Sequence, residues 1–292
     1  MDLFVWHESI KIEGPYNFDR VLERLSLDPL NVLNREERSV KVPILVEDKP
    51  FVVTITAAGS VEEPGFELSG TDESYRQAVI ESVSEIFQWH VPLRNIHDHF
   101  QQTDLNEIFQ EHIGTPIVLD VDPFGCLLKC IIHQQLNLSF AHKLTERFVK
   151  TFGYEIEGVL FYPKPKTVAE LTVERLREMQ FSGRKAEYTI GIAQAIVNGE
   201  LDLEALKHAD ETEIFNKLIK IRGIGPWTVQ NFMMFGLGRA NLFPTADIGL
   251  QNALKKLYKL DVKPTVAEME RYMESWNPYL SYASLYLWRS IE

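Results

Sequence analysis

Hydrophobic and polar residues alternate in the first third of the chain. Residues 40–46 carry a hydrophobic side chain at every second position, which is the period of a strand with one buried face. A second alternating run covers residues 51–57, and the polar segment 47–50 between the two runs predicts a hairpin turn. Asn17 and Ser74 each precede a short apolar pattern and are predicted to cap helices. This part of the chain therefore has the pattern of an α+β fold.

The hydrophobic period changes from two residues to that of a helix across residues 110–122. We therefore predict an α+β N-terminal domain over residues 1–112 and a mostly α-helical region over residues 113–292. Thr167 and Thr265 each precede a glutamate by three residues, which is the spacing of a capping box at a helix start. The predicted helices cover, roughly, residues 123–133, 139–152, 168–179, 185–198, 212–220, 227–236, 248–258, 266–273 and 281–289.

Charge is distributed unevenly along the chain. The formal net charge of −12 is unfavourable for binding a polyanion. Residues 1–112 hold 9 basic and 21 acidic residues, whereas residues 113–292 hold 21 of each. All of the excess acid lies in the N-terminal part, so the net charge does not exclude nucleic acid as a partner of the helical region.

The composition argues against several classes of protein. No apolar run reaches the roughly 20 residues that a membrane helix needs. Residues 1–10 lack the basic-then-apolar pattern of a signal peptide. Cys126 and Cys130 are the only cysteines, which argues against a disulfide scaffold and fits a reducing compartment. We expect a monomeric, cytoplasmic protein that does not contact a membrane.

The most specific signal for function is the run Leu-Ile-Lys-Ile-Arg-Gly-Ile-Gly-Pro-Trp-Thr-Val at residues 218–229. Gly223 and Gly225 allow a tight turn between two helices, because glycine tolerates positive φ. Pro226 suits the first turn of the second helix, where its missing N–H costs nothing. The free amides at that helix start favour an anion, so the unit predicts a phosphate-binding hairpin that reads no sequence. An ordinary helical hairpin with glycines for packing is the alternative.

A second signal lies about 20 residues downstream, in Leu-Phe-Pro-Thr-Ala-Asp-Ile-Gly-Leu at residues 242–250. Asp247 stands there between a proline-containing loop and an apolar helix. By itself this pattern describes a helix N-cap. Beside the hairpin motif it also fits a carboxylate that is held in a cleft and aimed at a substrate.

Together the two segments resemble the helix-hairpin-helix motif and the Gly/Pro-rich loop with its aspartate in the helix-hairpin-helix–GPD DNA glycosylases. Within that superfamily the sequence is most similar to the bacterial 3-methyladenine DNA glycosylase II group. The resemblance is strongest over about residues 118–292 and weaker over residues 1–112, where this family has an α+β domain. Further matching segments are Asp-Pro-Phe from Asp122, Ile-Ile-His-Gln-Gln-Leu-Asn from Ile131, Lys-Leu-Thr from Lys143, Phe-Pro from Phe243 and the run from Trp276 to Trp288.

The resemblance assigns the catalytic carboxylate to Asp247. Breaking a purine N-glycosidic bond builds positive charge on the sugar, and a fixed carboxylate stabilises that charge. An alkylated purine is already cationic, so its release needs no strong general acid. Superfamily members that also nick the backbone carry a lysine two residues after the second hairpin glycine, where it forms a Schiff base. This chain has Trp227 there, which implies a monofunctional glycosylase acting on double-stranded DNA with a damaged base.

The resemblance also implies a pocket for the flipped base and a DNA-binding face. Trp227 and Trp288 are expected to stack on an electron-poor base through a cation–π contact, and core packing is the alternative role for each. The other residues assigned to the base pocket are Phe124 and Asn231. The residues assigned to DNA binding are Gly223, Gly225, Thr228, Gln135 and Leu136.

Several positions depart from the best-known pocket of the family. Asn231, Ile248 and Arg289 stand where that pocket has aromatic residues. Gln135 stands where an apolar wedge fills the gap left by the flipped base, and Leu136 is a neighbouring candidate for that role. These departures leave the range of lesions open.

No cofactor is expected for this chemistry. Two cysteines cannot supply the four thiolates of an iron–sulfur cluster. The resemblance implies a structural Na⁺ or K⁺ at the hairpin, held by the backbone carbonyls of Ile219, Ile221 and Gly223.

Two other functions fit parts of the pattern. An oxidised-purine glycosylase of the same superfamily has a related N-terminal domain, but Trp227 in place of a lysine counts against it. A non-catalytic DNA-binding protein would keep the hairpin and lose the chemistry, and the presence of Asp247 in its loop argues against that.

Overall fold

An antiparallel sheet forms the first part of the computed structural model, which describes residues 5–292. Its strands are β1 Val5–Lys11, β2 Val32–Asn34, β3 Ser39–Val46, β4 Lys49–Ala57 and β5 Gly65–Thr71. They lie in the order β1-β5-β4-β3-β2. Strands β3 and β4 pair with Val46 opposite Lys49, so the predicted hairpin is confirmed. Glu47 and Asp48 make its turn, with φ of 50° and 63°.

Four helices accompany the sheet: α1 Phe18–Leu25, α2 Arg76–Ile86, α3 Leu93–Phe100 and α4 Asn106–Glu111. The predicted cap at Asn17 is confirmed, because its side chain accepts the N–H of Arg20 at 3.1 Å. The predicted cap at Ser74 is wrong. The side chain of Asp72 accepts the N–H of Ser74 instead and starts a single 3₁₀ turn that leads into α2. The hydrophobic pattern did not predict α3 or α4.

Helices dominate the rest of the chain. They are α5 Pro123–His133, α6 Leu138–Phe152, α7 Pro165–Ala169, α8 Val173–Glu178, α9 Gly183–Val197, α10 Leu203–His208, α11 Glu211–Leu218, α12 Pro226–Phe235, α13 Ile248–Leu257, α14 Val266–Met273 and α15 Leu280–Arg289. A two-stranded hairpin, β6 Tyr154–Ile156 and β7 Val159–Phe161, interrupts this series. None of the helices within residues 5–292 is long and apolar enough to cross a membrane.

Local capping explains where the predicted helices differ from the observed ones. The single helix predicted over residues 168–179 is two helices, because Thr172 is extended and caps α8 through the N–H of Arg175. The capping box at Thr265 is confirmed, with reciprocal bonds to Glu268. The one predicted at Thr167 is wrong, since Thr167 lies inside α7.

Two large hydrophobic cores combine distant parts of the sequence. The first joins the N-terminal sheet and helices α1 to α4 with α13 and α15, through buried residues such as Phe66, Leu254 and Tyr286. The second lies among α5, α6, α9, α11 and α12, with Phe148 and Phe232 fully buried. The last three helices of the chain therefore return to the N-terminal part. The domain boundary after residue 112 stays a prediction.

Helix α15 is anchored near its centre by Tyr286. The hydroxyl of Tyr286 accepts the N–H of Thr115 at 3.0 Å and lies 3.0 Å from Nε2 of His97. Burial lowers the pKa of His97 to about 4, so this imidazole is neutral near neutral pH. Trp288 follows two residues later and packs against both cores. The anchor therefore fixes this indole at the junction of the two cores.

Candidate active site at the junction of the two cores

Asp247 lies at the N-terminus of α13, where the Pro-containing loop of residues 242–246 ends. Its backbone is extended, and its Oδ1 accepts the N–H of Leu250 at 3.0 Å. The side chain is therefore a helix N-cap, which was one of the two interpretations of the sequence. Because a cap occupies only part of a carboxylate, the remaining lone pairs are available to other groups.

Two indole rings supply the other donors to this carboxylate. Nε1 of Trp227, in the first turn of α12, donates to Oδ2 of Asp247 at 2.9 Å. Nε1 of Trp288, near the end of α15, donates to Oδ1 at 2.9 Å. Three N–H groups from three helices thus hold the carboxylate in one orientation, and bonds to an ionised group are stronger than neutral ones. The sequence predicts a stacking role for these indoles, and no local pattern in it indicates their contact with Asp247.

Gly249 allows this arrangement to close. A Cβ atom on Gly249 would lie 2.9 Å from Oδ1 of Asp247 and 3.0 Å from Cδ1 of Trp288. Its backbone φ is not positive, so the requirement for glycine is one of space rather than of backbone conformation. A side chain here would push the indole of Trp288 away from the carboxylate.

A cavity of about 610 Å³ opens beside Asp247, between the two cores. Trp227, Asn231, Asp247 and Trp288 line it together, and Asn231 donates to the carbonyl of Trp227 at 2.9 Å. Of the residues assigned to the base pocket, only Phe124 lies elsewhere. It is 4% exposed and packs in the second core, because α5 turns it inward.

Polar side chains of α5, of α6 and of the segment before α5 line one side of the cavity. Lys129 and Asp120 form an ion pair there. The rings of His133 and His142 meet edge to face at 5.1 Å. Burial lowers the pKa of His133 to about 3, so this ring is neutral at physiological pH. These residues were absent from the site predicted from the sequence, and their spacing contains no motif that would have identified them.

The predicted hairpin between two helices is confirmed. Helix α11 ends at Leu218, and α12 begins after Gly225 with Pro226 in its first turn. Gly223 has a φ of +95°, in the left-handed region that favours glycine. Thr228, assigned to DNA binding, is 1% exposed, and its hydroxyl accepts a hydrogen bond from Gln134. Within this hairpin, the part suited to binding an anion is therefore the set of backbone N–H groups at the start of α12.

The two hairpin glycines should respond differently to replacement by alanine. Gly223→Ala puts a Cβ 2.2 Å from Cγ of Tyr188 at a positive φ, and we expect a loss of about 2–4 kcal/mol in free energy of unfolding. Gly225→Ala should be nearly neutral for stability, because φ is −105° and no described atom lies within 4 Å of that Cβ. Urea denaturation of both variants measures the difference. Equal losses would contradict this account of the turn.

The loop after α5 lies beside the hairpin and carries two of the residues assigned to DNA binding. Gln135 is exposed and has a φ of +56°, whereas Leu136 lines the cavity. Gln134, which was not predicted as a site residue, donates through Nε2 to the carbonyl of Gly223 at 2.9 Å.

The backbone carbonyls proposed to hold a cation are only partly free. The carbonyl of Gly223 accepts from Gln134, and the carbonyl of Ile221 accepts the N–H of Ile224 at 3.1 Å. Ile219 follows the end of α11. Two of the three oxygens thus have a protein donor on one lone pair and keep the second, so the cation site stays a prediction. We therefore derive no step through a cation at this position. The described residues also contain no group of three or more His, Cys, Asp or Glu side chains suited to a metal.

Comparison with known proteins identifies relatives along nearly the entire chain. The family described as "HhH-GPD superfamily base excision DNA repair protein" matches residues 128–278. A protein of Bacillus subtilis (strain 168) named "Putative DNA-3-methyladenine glycosylase YfjP" is 55% identical over 289 residues, which is 99% of this chain and 100% of that protein. A second protein of the same organism, DNA-3-methyladenine glycosylase, is 38% identical over 181 residues, 61% of this chain and 58% of that protein.

A solved structure has the same fold over nearly the whole length. The 3-methyladenine DNA glycosylase from Archaeoglobus fulgidus superposes with a TM-score of 0.85 at 24% identity, covering 96% of this chain and 97% of that one. The likeness includes the N-terminal sheet as well as the helical part. The predicted order of an α+β part followed by a mostly helical region is therefore confirmed.

Proposed function

The chain belongs to the HhH-GPD superfamily of base excision DNA repair proteins, and from that premise we propose that it is a monofunctional DNA glycosylase. It flips an alkylated purine of the 3-methyladenine type out of the duplex and hydrolyses its N-glycosidic bond. The observation that carries this proposal is the carboxylate of Asp247, held by three N–H groups at a cavity beside the hairpin. The two Bacillus subtilis relatives bear names with the same activity.

Asp247 is the proposed catalytic residue. The bond between C1′ and the purine nitrogen breaks with its electron pair leaving on the base, so positive charge develops on the sugar. A carboxylate that is already oriented stabilises this charge without reorganising during the reaction. A water oxygen then bonds to C1′ and releases its proton to solvent. The indole N–H groups of Trp227 and Trp288 prevent the carboxylate from rotating away from the sugar.

The faces of the two indoles are the proposed recognition surface for the base. Both rings line the cavity while their N–H edges point to Asp247. An aromatic face attracts a cation, which favours a positively charged alkylpurine over a neutral purine. Asn231 supports this surface through its bond to the carbonyl of Trp227.

DNA is proposed to dock on the helical part, at the hairpin. The backbone amides near Gly223 and Gly225 hold a phosphate without reading sequence. Gln135 and Leu136 lie next to this turn and are the candidates for the side chain that fills the gap left by the flipped base. The strongly acidic N-terminal part turns mostly away from the phosphates. The protein then acts as a monomer on duplex DNA in the cytoplasm and needs no cofactor.

A panel of duplexes, each with one lesion, tests the proposed function. We expect abasic product from duplexes with 3-methyladenine or 7-methylguanine, and none from an undamaged duplex. Excision of 8-oxoguanine in place of the alkylpurines would instead support an oxidised-purine glycosylase. Binding of all duplexes without release of any base would support a DNA-binding protein without this activity.

The product of the reaction should be an intact strand with an abasic site. Trp227 stands where a lyase of this superfamily has its lysine, and an indole nitrogen cannot form an imine with C1′. Borohydride added during turnover should therefore trap no covalent complex. A strand break after heating or alkali is expected from the abasic site itself, whereas a trapped protein–DNA adduct would show that a second nucleophile exists.

A further inference from the structure

The loop after α5 is fixed by a lysine from another helix. Nζ of Lys185, in the first turn of α9, donates to the carbonyls of Ile131 and Ile132 at 3.2 and 2.6 Å and also to the carbonyl of Gln134. An ammonium group has three N–H donors, so this lysine uses all of them on one stretch of backbone. Lys185 is half-buried as a result and is not free to contact a phosphate.

The side chain of Gln134 ties the same loop to the hairpin. Its Nε2 lies 2.9 Å from the carbonyl of Gly223 and 2.9 Å from the hydroxyl of Thr228. One amide group thus joins the loop both to the turn of the hairpin and to the first turn of α12. The loop and the proposed phosphate-binding site are therefore held in a constant relative position.

Gln135 is the residue that this network presents. It is exposed, and its φ of +56° lies in a region that residues other than glycine rarely adopt. A left-handed residue directly after the C-cap is a common way to end a helix, and here it turns the chain away from α5 at Gln135. The bonds from Lys185 and Gln134 all fix the stretch of chain immediately before Gln135.

We propose that Lys185 and Gln134 form a brace that holds Gln135 in a fixed position relative to the hairpin, so that Gln135 enters the duplex when the hairpin holds its phosphate. This inference rests on the proposed function and makes Lys185 and Gln134 positioning residues. A lysine that only capped α5 would satisfy the carbonyls as well. It would not account for the bonds of Gln134 to the hairpin.

The test compares the affinity for two duplexes, one undamaged and one with a tetrahydrofuran abasic analogue. The analogue duplex contains the gap that Gln135 is proposed to fill, and the undamaged duplex does not. We expect Lys185→Met and Gln134→Met each to weaken binding to the analogue duplex about 10-fold or more, because a loop without these bonds must be ordered when Gln135 enters the gap. Binding to the undamaged duplex should change by no more than about 2-fold. The fluorescence of 2-aminopurine placed opposite the analogue reports insertion directly and should rise less with both variants.

Arg184→Met is the matched control for charge. Arg184 precedes Lys185 and is exposed, and its side chain forms no hydrogen bond or ion pair within residues 5–292. Its loss removes the same charge from the same helix turn, so any electrostatic effect should weaken binding to both duplexes by the same factor.

Several results would overturn the brace. One is an equal loss of affinity for both duplexes in Gln134→Met. Another is an unchanged affinity of this variant for the analogue duplex. A third is a wild-type protein that binds the analogue duplex no more tightly than the undamaged one. If Lys185→Met does not fold in a thermal denaturation test, Gln134→Met decides the matter, because it leaves Lys185 bound to the end of α5. The analogue carries no base to release, so a protein that passes this test but releases no base keeps the brace and loses the proposed function.

Discussion

Asp247→Asn is expected to lower the rate of base release by about 10³-fold while leaving the protein folded. The substitution removes the charge that stabilises the sugar cation and preserves the shape of the side chain. Asparagine is also a good N-cap, so the N–H of Leu250 keeps its acceptor. The new amide group does face one of the two indole N–H groups, which costs about 1–3 kcal/mol of stability. Single-turnover kinetics with excess protein on a 3-methyladenine duplex measure the rate.

Asp202→Asn is the matched control for this variant. Asp202 caps α10 by accepting the N–H of Ala205 at 3.0 Å, and it is exposed outside the cavity. Asp202→Asn thus makes the same chemical change at the same kind of helix N-cap as Asp247→Asn, but at a residue with no proposed part in the reaction. We expect the wild-type rate from Asp202→Asn. A wild-type rate from Asp247→Asn as well would show that another group stabilises the transition state.

Trp227→Phe should reduce base release more than Trp288→Phe does. Both variants keep an aromatic ring and lose one N–H donor to Asp247. Within the described part of the chain, Trp227 is the only donor to Oδ2, whereas Oδ1 keeps the N–H of Leu250 when Trp288 is replaced. A hydrogen bond to a charged group contributes about 1.5–3 kcal/mol, so Trp227→Phe should cost about 10- to 100-fold in rate and Trp288→Phe less.

Replacement of the same tryptophans by leucine separates stacking from positioning. Leucine removes the aromatic face as well as the N–H group. If the faces recognise a cation, the leucine variants should lose ~0.5–2 kcal/mol more transition-state stabilisation on a charged alkylpurine than on a neutral base. The rate of base release by the phenylalanine variants should fall by a similar factor on both substrates, because the carboxylate acts on the sugar in either case. Rates on 7-methylguanine and hypoxanthine duplexes provide the comparison.

Trp276→Phe is the control for the loss of an indole bond. Nε1 of Trp276 donates to a carboxylate oxygen of Asp104 at 2.8 Å, and the ring is fully buried. This variant loses a bond of the same type in the core, so its free energy of unfolding should fall while each folded molecule keeps its rate. Equal rate losses in Trp276→Phe and Trp227→Phe would attribute the effect to general destabilisation.

Local chemistry explains which elements could be predicted. The β3–β4 hairpin was predicted because alternation and a polar turn lie within 18 residues of sequence, and the hairpin around Gly223 because the glycines and Pro226 follow one another. Membership of the superfamily, predicted from this hairpin and Asp247, is confirmed. The prediction of one helix over residues 168–179 was wrong, because the cap at Thr172 competes locally with an apolar period that continues on both sides.

By itself, the sequence determined the helical hairpin at Gly223, the helix N-cap at Asp247 and the family, because each depends on residues that are close neighbours in the chain. Only the tertiary structure decided what surrounds that carboxylate. The indoles of Trp227 and Trp288 reach Asp247 across 20 and 41 residues, and Gln134 reaches Gly223 across 89. Phe124 lies in the core for the same reason, since the orientation of α5 and not its pattern selects the buried face. Such contacts depend on how helices from distant segments pack, and a local pattern of residues carries no information about that packing.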